Sequence, residues 1–309
     1  MRYWSFILLV ALASRVPAAT VHSGQTVMGT VLEVTVVAAD EATAQRLADE
    51  AVAIARRWDD VLTTWRSDGE LAQLNAKAGQ GPVLVSPELR TALLRMKELC
   101  QITGGAFDPA VGALVRSWRM EATPSAAVTN AIPRRSIGDA VKFDAQRVEL
   151  ASGAEIDAGG IGKGMALDAI AEHLRRGAAT AAFLNFGGSS QLAIGAPPDS
   201  SEGWVVVLAG LSTASSHGTF RLRDAALSSS RSPAEKAAGA IIDPRTRRPI
   251  EERRFASVLA SDATSAEAWS KAMIVLGWAA AESARRAGVE VLFEDDAGMR
   301  RSPGLRPAD

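Results

Sequence analysis

Eight consecutive residues, Asp157-Ala158-Gly159-Gly160-Ile161-Gly162-Lys163-Gly164, contain four glycines and lead into an apolar stripe of Leu167, Ile170, Ala171 and Leu174 that stops at Gly177. A glycine-dense turn entering an amphipathic helix constrains the backbone more than any other stretch of this chain. It gathers unpaired N–H groups and the Lys163 ammonium at one helix N-terminus, which suits a phosphate or a pyrophosphate. The plainer alternative is a helix-entry turn with no ligand. A nucleotide-triphosphatase P-loop would need glycine at position 157 and Ser or Thr at 164, where this chain has Asp157 and Gly164. A dinucleotide fingerprint also fails, because the third glycine falls one place early and no long strand runs into it.

Around this turn the apolar periodicity changes type repeatedly. Residues 27–37 alternate and predict a strand, whereas Leu47, Ala51, Ile54, Trp58 and Leu62 fall at helical spacing and predict a helix over 41–63. Ser86-Pro87-Glu88 reads as a helix start, with Leu89, Leu93, Met96 and Cys100 as its buried stripe. Strand-like runs follow at 181–186, 191–194, 204–208, 219–222 and 256–259. A helix over 265–277 and a final helix and strand within 279–293 close the pattern. Strands and helices without strict alternation predict an α+β fold with parts interleaved around one site. Residues 122–135 read as a connection or lid, and 300–309 as a disordered tail.

The 34 basic and 35 acidic residues leave a net charge of −1, which excludes the positive field of a non-specific nucleic-acid binder. One Cys and three His exclude an intrachain disulfide and supply too few soft ligands for structural zinc, so any metal must be a hard one held by oxygen. His217 in a Ser-Ser-His-Gly turn and His173 on the polar side of its helix give little support to a Ser-His-Asp triad. Residues 1–19 read as a secretory signal, with Arg2, an apolar run too short to span a bilayer and small residues before a cleavage site. No Cys stands nearby for lipid attachment. The expectation is an exported, periplasmic domain over 20–299.

Six segments in chain order resemble one family. They are Met28-Gly29-Thr30; Thr64-Trp65 with Glu70-Leu71 and Asn75; Thr103-Gly104-Gly105-Ala106-Phe107-Asp108-Pro109; the 157–164 turn; Asn185-Phe186-Gly187-Gly188; and Ile242-Asp243-Pro244-Arg245-Thr246. Together they resemble the ApbE-type FAD:protein FMN transferases over nearly the whole mature chain. The resemblance implies a T-fold-like α+β architecture with FAD in a cleft between its parts. It implies a reaction in which a Thr or Ser hydroxyl of an acceptor flavoprotein attacks the FMN phosphate of FAD and AMP leaves. Such acceptors carry a short Ser/Thr motif and are typically exported or membrane-bound electron-transfer subunits.

Carried onto this chain, the resemblance makes Asp243 and Lys163 catalytic. It assigns FAD binding to Met28, Trp65, Glu70, Asn75, Asp108, Asp157, Gly160, Lys163, Gly187 and Gly188. Trp65 and Met28 match the flat apolar partners of a ring. Lys163 and the glycine-turn N–H groups match the charge of a pyrophosphate. Two departures stand out. The family's loop usually has His three residues before the Asp of Asp-Pro, and that place is Ala240. The family's metal motif has Asp and Thr four residues apart on one helical face, and these are Glu267 and Lys271. A protonated lysine cannot ligate Mg²⁺, which leaves Gly160, Glu267 and Ser270 as its oxygen donors. Three outcomes stay open: a transferase in which Lys271 replaces the metal's charge, a periplasmic FAD-binding protein without transfer, or an FAD pyrophosphatase. A plain surface pair is the structural alternative for Glu267 and Lys271.

Overall fold

The computed structural model describes residues 18–121, 124–211, 216–233 and 240–308. The signal-like segment lies outside the described residues up to position 17, as do 122–123 of the expected lid. β1 (Ala19–Val27) and β2 (Thr30–Ala38) pair antiparallel as a hairpin. Its two-residue turn, Met28-Gly29, has φ of 49° and 73°. Positive φ at both central residues is what the right-handed twist of two strands demands of so short a turn. The alternation expected as one strand from 27 therefore breaks at Met28, which is a turn residue.

α1 (Glu41–Leu62) begins at Asp40, whose carboxylate accepts from the Thr43 N–H. After it come α2 (Glu70–Ala76), β3 (Val83–Leu84) and α3 (Pro87–Ile102), the last with Ser86 as N-cap and buried Cys100 on its inner face. α4 (Gly112–Met120), α5 (Ala126–Ala131) and α6 (Ile137–Ala140) lead to β4 (Val141–Asp144) and β5 (Arg147–Leu150). β3, β5 and β4 make a small antiparallel sheet. The glycine turn then opens α7 (Gly162–Arg176), followed by β6 (Ala181–Phe186) and β7 (Ser190–Ile194). β8 (Trp204–Ala209) and β9 (Ser216–Leu222) form a separate hairpin. β10 (Ala225–Ser232), β11 (Ile242–Asp243), β12 (Arg248–Pro249) and β13 (Arg254–Ala260) precede α8 (Ala263–Leu276), α9 (Ala281–Arg286), β14 (Glu290–Asp295) and β15 (Gly298–Arg301).

Among the described residues an eight-stranded antiparallel sheet runs β1-β2-β6-β7-β10-β13-β14-β15. Its strands alternate cleanly between two apolar layers. Leu192, Ala226, Val258 and Phe293 face the core shared with α1, α7 and α8, while Ala193, Leu227, Phe255 and Leu292 face the β8–β9 hairpin. Asp168 of α7 accepts from the Ala263 and Thr264 N–H groups at 2.7 and 2.9 Å, locking the start of α8 to α7. At that crossing Gly164 is obligatory, because a Cβ there would lie 2.6 Å from the Ala263 carbonyl oxygen. Gly164→Ala should lower the unfolding free energy by about 1–3 kcal/mol, read from the urea midpoint.

Two expectations are corrected, and one strand was not expected. Of the expected 300–309 tail, the described residues 300–308 are not disordered: β15 continues the sheet to Arg301, the Ser302 N–H bonds the Val291 carbonyl at 2.8 Å, and Leu305 is 3% exposed. His217 is not in an exposed turn but in β9, with Nε2 2.8 Å from Glu294 Oε2. β10 carries no apolar pattern in its Ser-rich second half, yet it is a central strand whose Ser228 and Ser230 are buried against α8.

Candidate active site

The glycine turn is held from three sides. The Asn75 side chain grips Ile156, donating Nδ2 to its carbonyl at 2.8 Å and accepting its N–H at 2.9 Å. The Asp157 N–H bonds the Pro109 carbonyl at 2.8 Å, and the Asp157 carboxylate accepts the Gly159 N–H at 2.8 Å. Burial raises the pKa of Asp157, against the opposing charge of Arg119. The turn thereby sits between two connected lobes of one cleft. The larger, about 560 Å³, is lined by Met28, Trp65, Gly162 and Lys163. The smaller, about 170 Å³, is lined by Phe107, Gly160, Ala240, Pro244 and Lys271. Arg119, Asp157 and Gly159 line both.

Trp65 is 72% exposed, so its ring presents an open face to the larger lobe. The Arg119 guanidinium lies 4.3 Å from the ring centroid, and its Nη1 is 3.6 Å from Asp157 Oδ2. Arg119 is the site residue that sequence reasoning missed. It sits on a short helix with no motif around it, and nothing in its neighbourhood announces a partner at position 65 or 157.

Beneath the turn lies Glu267, 0% exposed. Its Oε1 is 2.9 Å from Lys163 Nζ and accepts the Ser190 hydroxyl at 2.5 Å, while Oε2 accepts the Gly164 N–H at 2.9 Å. Burial alone would raise its pKa, but the Lys163 and Lys271 ammonium groups and the Ser190 hydroxyl outweigh that and hold it at about 2. Burial and the Lys163 charge push Lys271 down to about 8, against the pull of Glu267. Ser270 turns the other way, with Oγ 2.8 Å from the Ser230 hydroxyl and bonded to the Glu267 carbonyl at 2.9 Å.

This arrangement does not suit a divalent cation. A metal needs free lone pairs, and both Glu267 oxygens are already bound by donors while Ser270 faces β10. Among the described residues no group of three or more His, Cys, Asp and Glu gathers in a ligating cluster. Of the expected oxygen donors only the Gly160 backbone remains, and Lys271 stands beside it. Nor are Glu267 and Lys271 a surface pair, since the glutamate is fully buried.

Of the residues the resemblance assigns to FAD, Met28, Trp65, Asp157, Gly160 and Lys163 line the cleft. Asp108 also borders the smaller lobe, but its Oδ1 is engaged by the Ala110 and Ile137 N–H groups, both at 3.0 Å. Glu70 does not reach the cleft: its carboxylate accepts the Ser86 N–H and hydroxyl and fastens α2 to the start of α3. Asn75 acts on the turn's backbone from behind. Gly187 and Gly188 form the tight β6–β7 turn, where a Cβ on Gly187 would meet the Thr30 hydroxyl at 2.6 Å, so they support the Met28 hairpin and do not line either lobe. Asp243 is 4% exposed, and Arg245 binds its carboxylate through N, Nε and Nη2 at 2.8, 3.0 and 2.9 Å. Burial works against it, but these bonds hold its pKa below the usual range. A carboxylate so engaged is a poor proton acceptor, and its neighbours Ile242 and Pro244 line the lobe in its stead.

The ApbE family model matches residues 28–293. The FAD:protein FMN transferase of Treponema pallidum (strain Nichols) is 33% identical over 153 residues, which is 46% of this chain and 42% of that protein. One from Klebsiella pneumoniae (strain 342) is 26% identical over 298 residues, covering 86% of this chain and 81% of the relative. This chain therefore spans less than half the length of the Treponema relative and most of the Klebsiella one. In structure, the flavin transferase ApbE from Vibrio cholerae superposes with a TM-score of 0.80 at 24% identity, over 93% of this chain and 97% of that one. The expected α+β fold is the one these structures share.

Proposed function

Because the chain belongs to the ApbE family, we propose that it is an FAD:protein FMN transferase that uses the two-lobed cleft to hold FAD across the glycine turn. The observation that carries this reading is the placement of an open aromatic face, Trp65, and two lysines, Lys163 and Lys271, around one helix N-terminus. A ring stacks on Trp65, and the pyrophosphate meets the Lys163 ammonium and the N–H groups of Gly160 and Lys163, which the turn's own bonds leave over. An acceptor Ser or Thr hydroxyl oxygen then forms an ester bond to the FMN phosphorus. The P–O bond of the anhydride breaks, AMP leaves with the bridging oxygen, and the hydroxyl proton passes to solvent. The chain's contribution is positioning and electrostatic stabilisation of the charge that builds on the phosphoryl oxygens.

Trp65→Ala should weaken FAD binding about tenfold, equivalent to about 1.4 kcal/mol, measured by flavin fluorescence titration. The partner in this reading is an acceptor flavoprotein with a Ser/Thr flavinylation motif, an exported or membrane-bound electron-transfer subunit. Residues 1–19 act as a signal that places the protein in the periplasm, which N-terminal sequencing of the periplasmic protein checks. Incubating the purified protein with FAD and an acceptor domain should leave flavin fluorescence on the acceptor after denaturation. Bound FAD without any covalent flavin would favour the binding-protein alternative, since Asp243 is engaged and Ala240 supplies no proton acceptor.

A further inference from the structure

We propose that the Lys271 side chain takes the place of a divalent cation beside the pyrophosphate, so that this chain binds FAD without any metal. The inference rests on FAD being the ligand of the cleft. Three independent contacts carry it. First, both oxygens of the fully buried Glu267 carboxylate are already engaged, Oε1 by Lys163 and Ser190 and Oε2 by the Gly164 N–H, so it is poorly placed to ligate a metal. Second, Lys271 runs alongside the turn. A Cβ placed on Gly160 would be 3.8 Å from Lys271 Cγ and 3.9 Å from its Cε, and the lysine lines the smaller lobe together with Asp157 and Gly159. Third, among the described residues Lys271 has no hydrogen bond and no ion pair within 4.0 Å, whereas Lys163 is paired.

The charges then differ in role. Lys163 and Glu267 neutralise each other and Arg119 lies opposite Asp157, which leaves in the lining of the smaller lobe the Lys271 ammonium and Asp108, whose Oδ1 is held by two N–H groups. A half-buried ammonium that feels the Glu267 charge but makes no hydrogen bond or ion pair of its own is poorly solvated, and a pyrophosphate oxygen supplies the contact it lacks. The same ammonium repels a second cation from the place beside Gly160. Positive charge is thus built into α8 instead of being recruited from solution.

The test is FAD affinity, read by flavin and tryptophan fluorescence in EDTA and in excess MgCl₂, for the full chain and for Lys271→Thr and Lys271→Arg. The unaltered protein should bind FAD with the same Kd, within about twofold, in both buffers. Lys271→Thr should bind about tenfold more weakly in EDTA and recover part of that loss with Mg²⁺, while Lys271→Arg stays within about threefold. Binding by the unaltered protein that vanishes in EDTA and returns with Mg²⁺ would overturn the proposal, and that result needs no variant to fold. A Lys271→Thr protein with unchanged affinity and no Mg²⁺ response would overturn it too. FAD binding in neither buffer would instead overturn the FAD reading of the cleft, and this proposal with it.

Discussion

Lys163→Met is expected to slow flavin transfer about 10²- to 10³-fold and, by leaving the buried Glu267 without its nearest ammonium, to lower stability as well. Lys163 sits in the first turn of α7, where the Gly159, Ile161, Gly162 and Gly164 N–H groups are bonded within the protein and those of Gly160 and Lys163 are left to meet an anion. Its Nζ is fixed 2.9 Å from the buried Glu267 carboxylate, so it cannot swing away from the pyrophosphate. Charge on the transferring phosphoryl group grows at the transition state, and a fixed ammonium stabilises that charge without reorganising. The methionine keeps the aliphatic volume and removes the charge. A second effect points the same way, because Glu267 loses its nearest ammonium and its negative charge then opposes the phosphate. Single-turnover transfer at saturating FAD separates this loss from weaker binding.

Glu267→Gln is expected to destabilise the protein by about 3–5 kcal/mol, since it leaves the Lys163 and Lys271 ammonium groups in a buried place without their anion. The loss appears as a lower urea midpoint with unchanged slope. A pH titration gives the same test another form. The Glu267 pKa falls from the ordinary 4.5 to about 2 on folding. Its stabilisation is therefore complete above about pH 4.5 and disappears as the pH falls toward 2. The Gln variant cannot titrate, so its stability should depend less steeply on pH across that window. An identical acid limb in both proteins would mean that the ion pair contributes nothing there.

How much of this was legible beforehand follows from where each partner lies along the chain. The long helices α1, α3, α7 and α8 declare themselves through apolar stripes and through caps such as Ser86-Pro87, because those signals are local. β10 does not, since its inward-facing Ser228 and Ser230 bond Ser270 across the core where an apolar pair would ordinarily sit. The cleft-lining roles of Met28, Trp65, Gly160 and Lys163 follow from motif position. The roles of Glu70, Asn75, Gly187, Gly188 and Asp243 do not, because a motif marks a residue as needed without saying whether it touches the ligand or holds the residue that does. Asn75 grips Ile156, 81 positions away, and Glu267 is bonded to Gly164 and Ser190 over separations of 103 and 77. Engagement of both Glu267 oxygens is a property of three segments meeting in space, and no single segment contains it.

Movement of FMN from FAD to a protein hydroxyl in the two-lobed cleft is read out by the ratio of AMP released to flavin bound covalently on an acceptor. The two products should rise together in equal amounts, in EDTA as in Mg²⁺, and both should disappear when the acceptor hydroxyl is replaced by alanine. AMP accumulating with free FMN and no covalent flavin would contradict the account and make the protein an FAD pyrophosphatase.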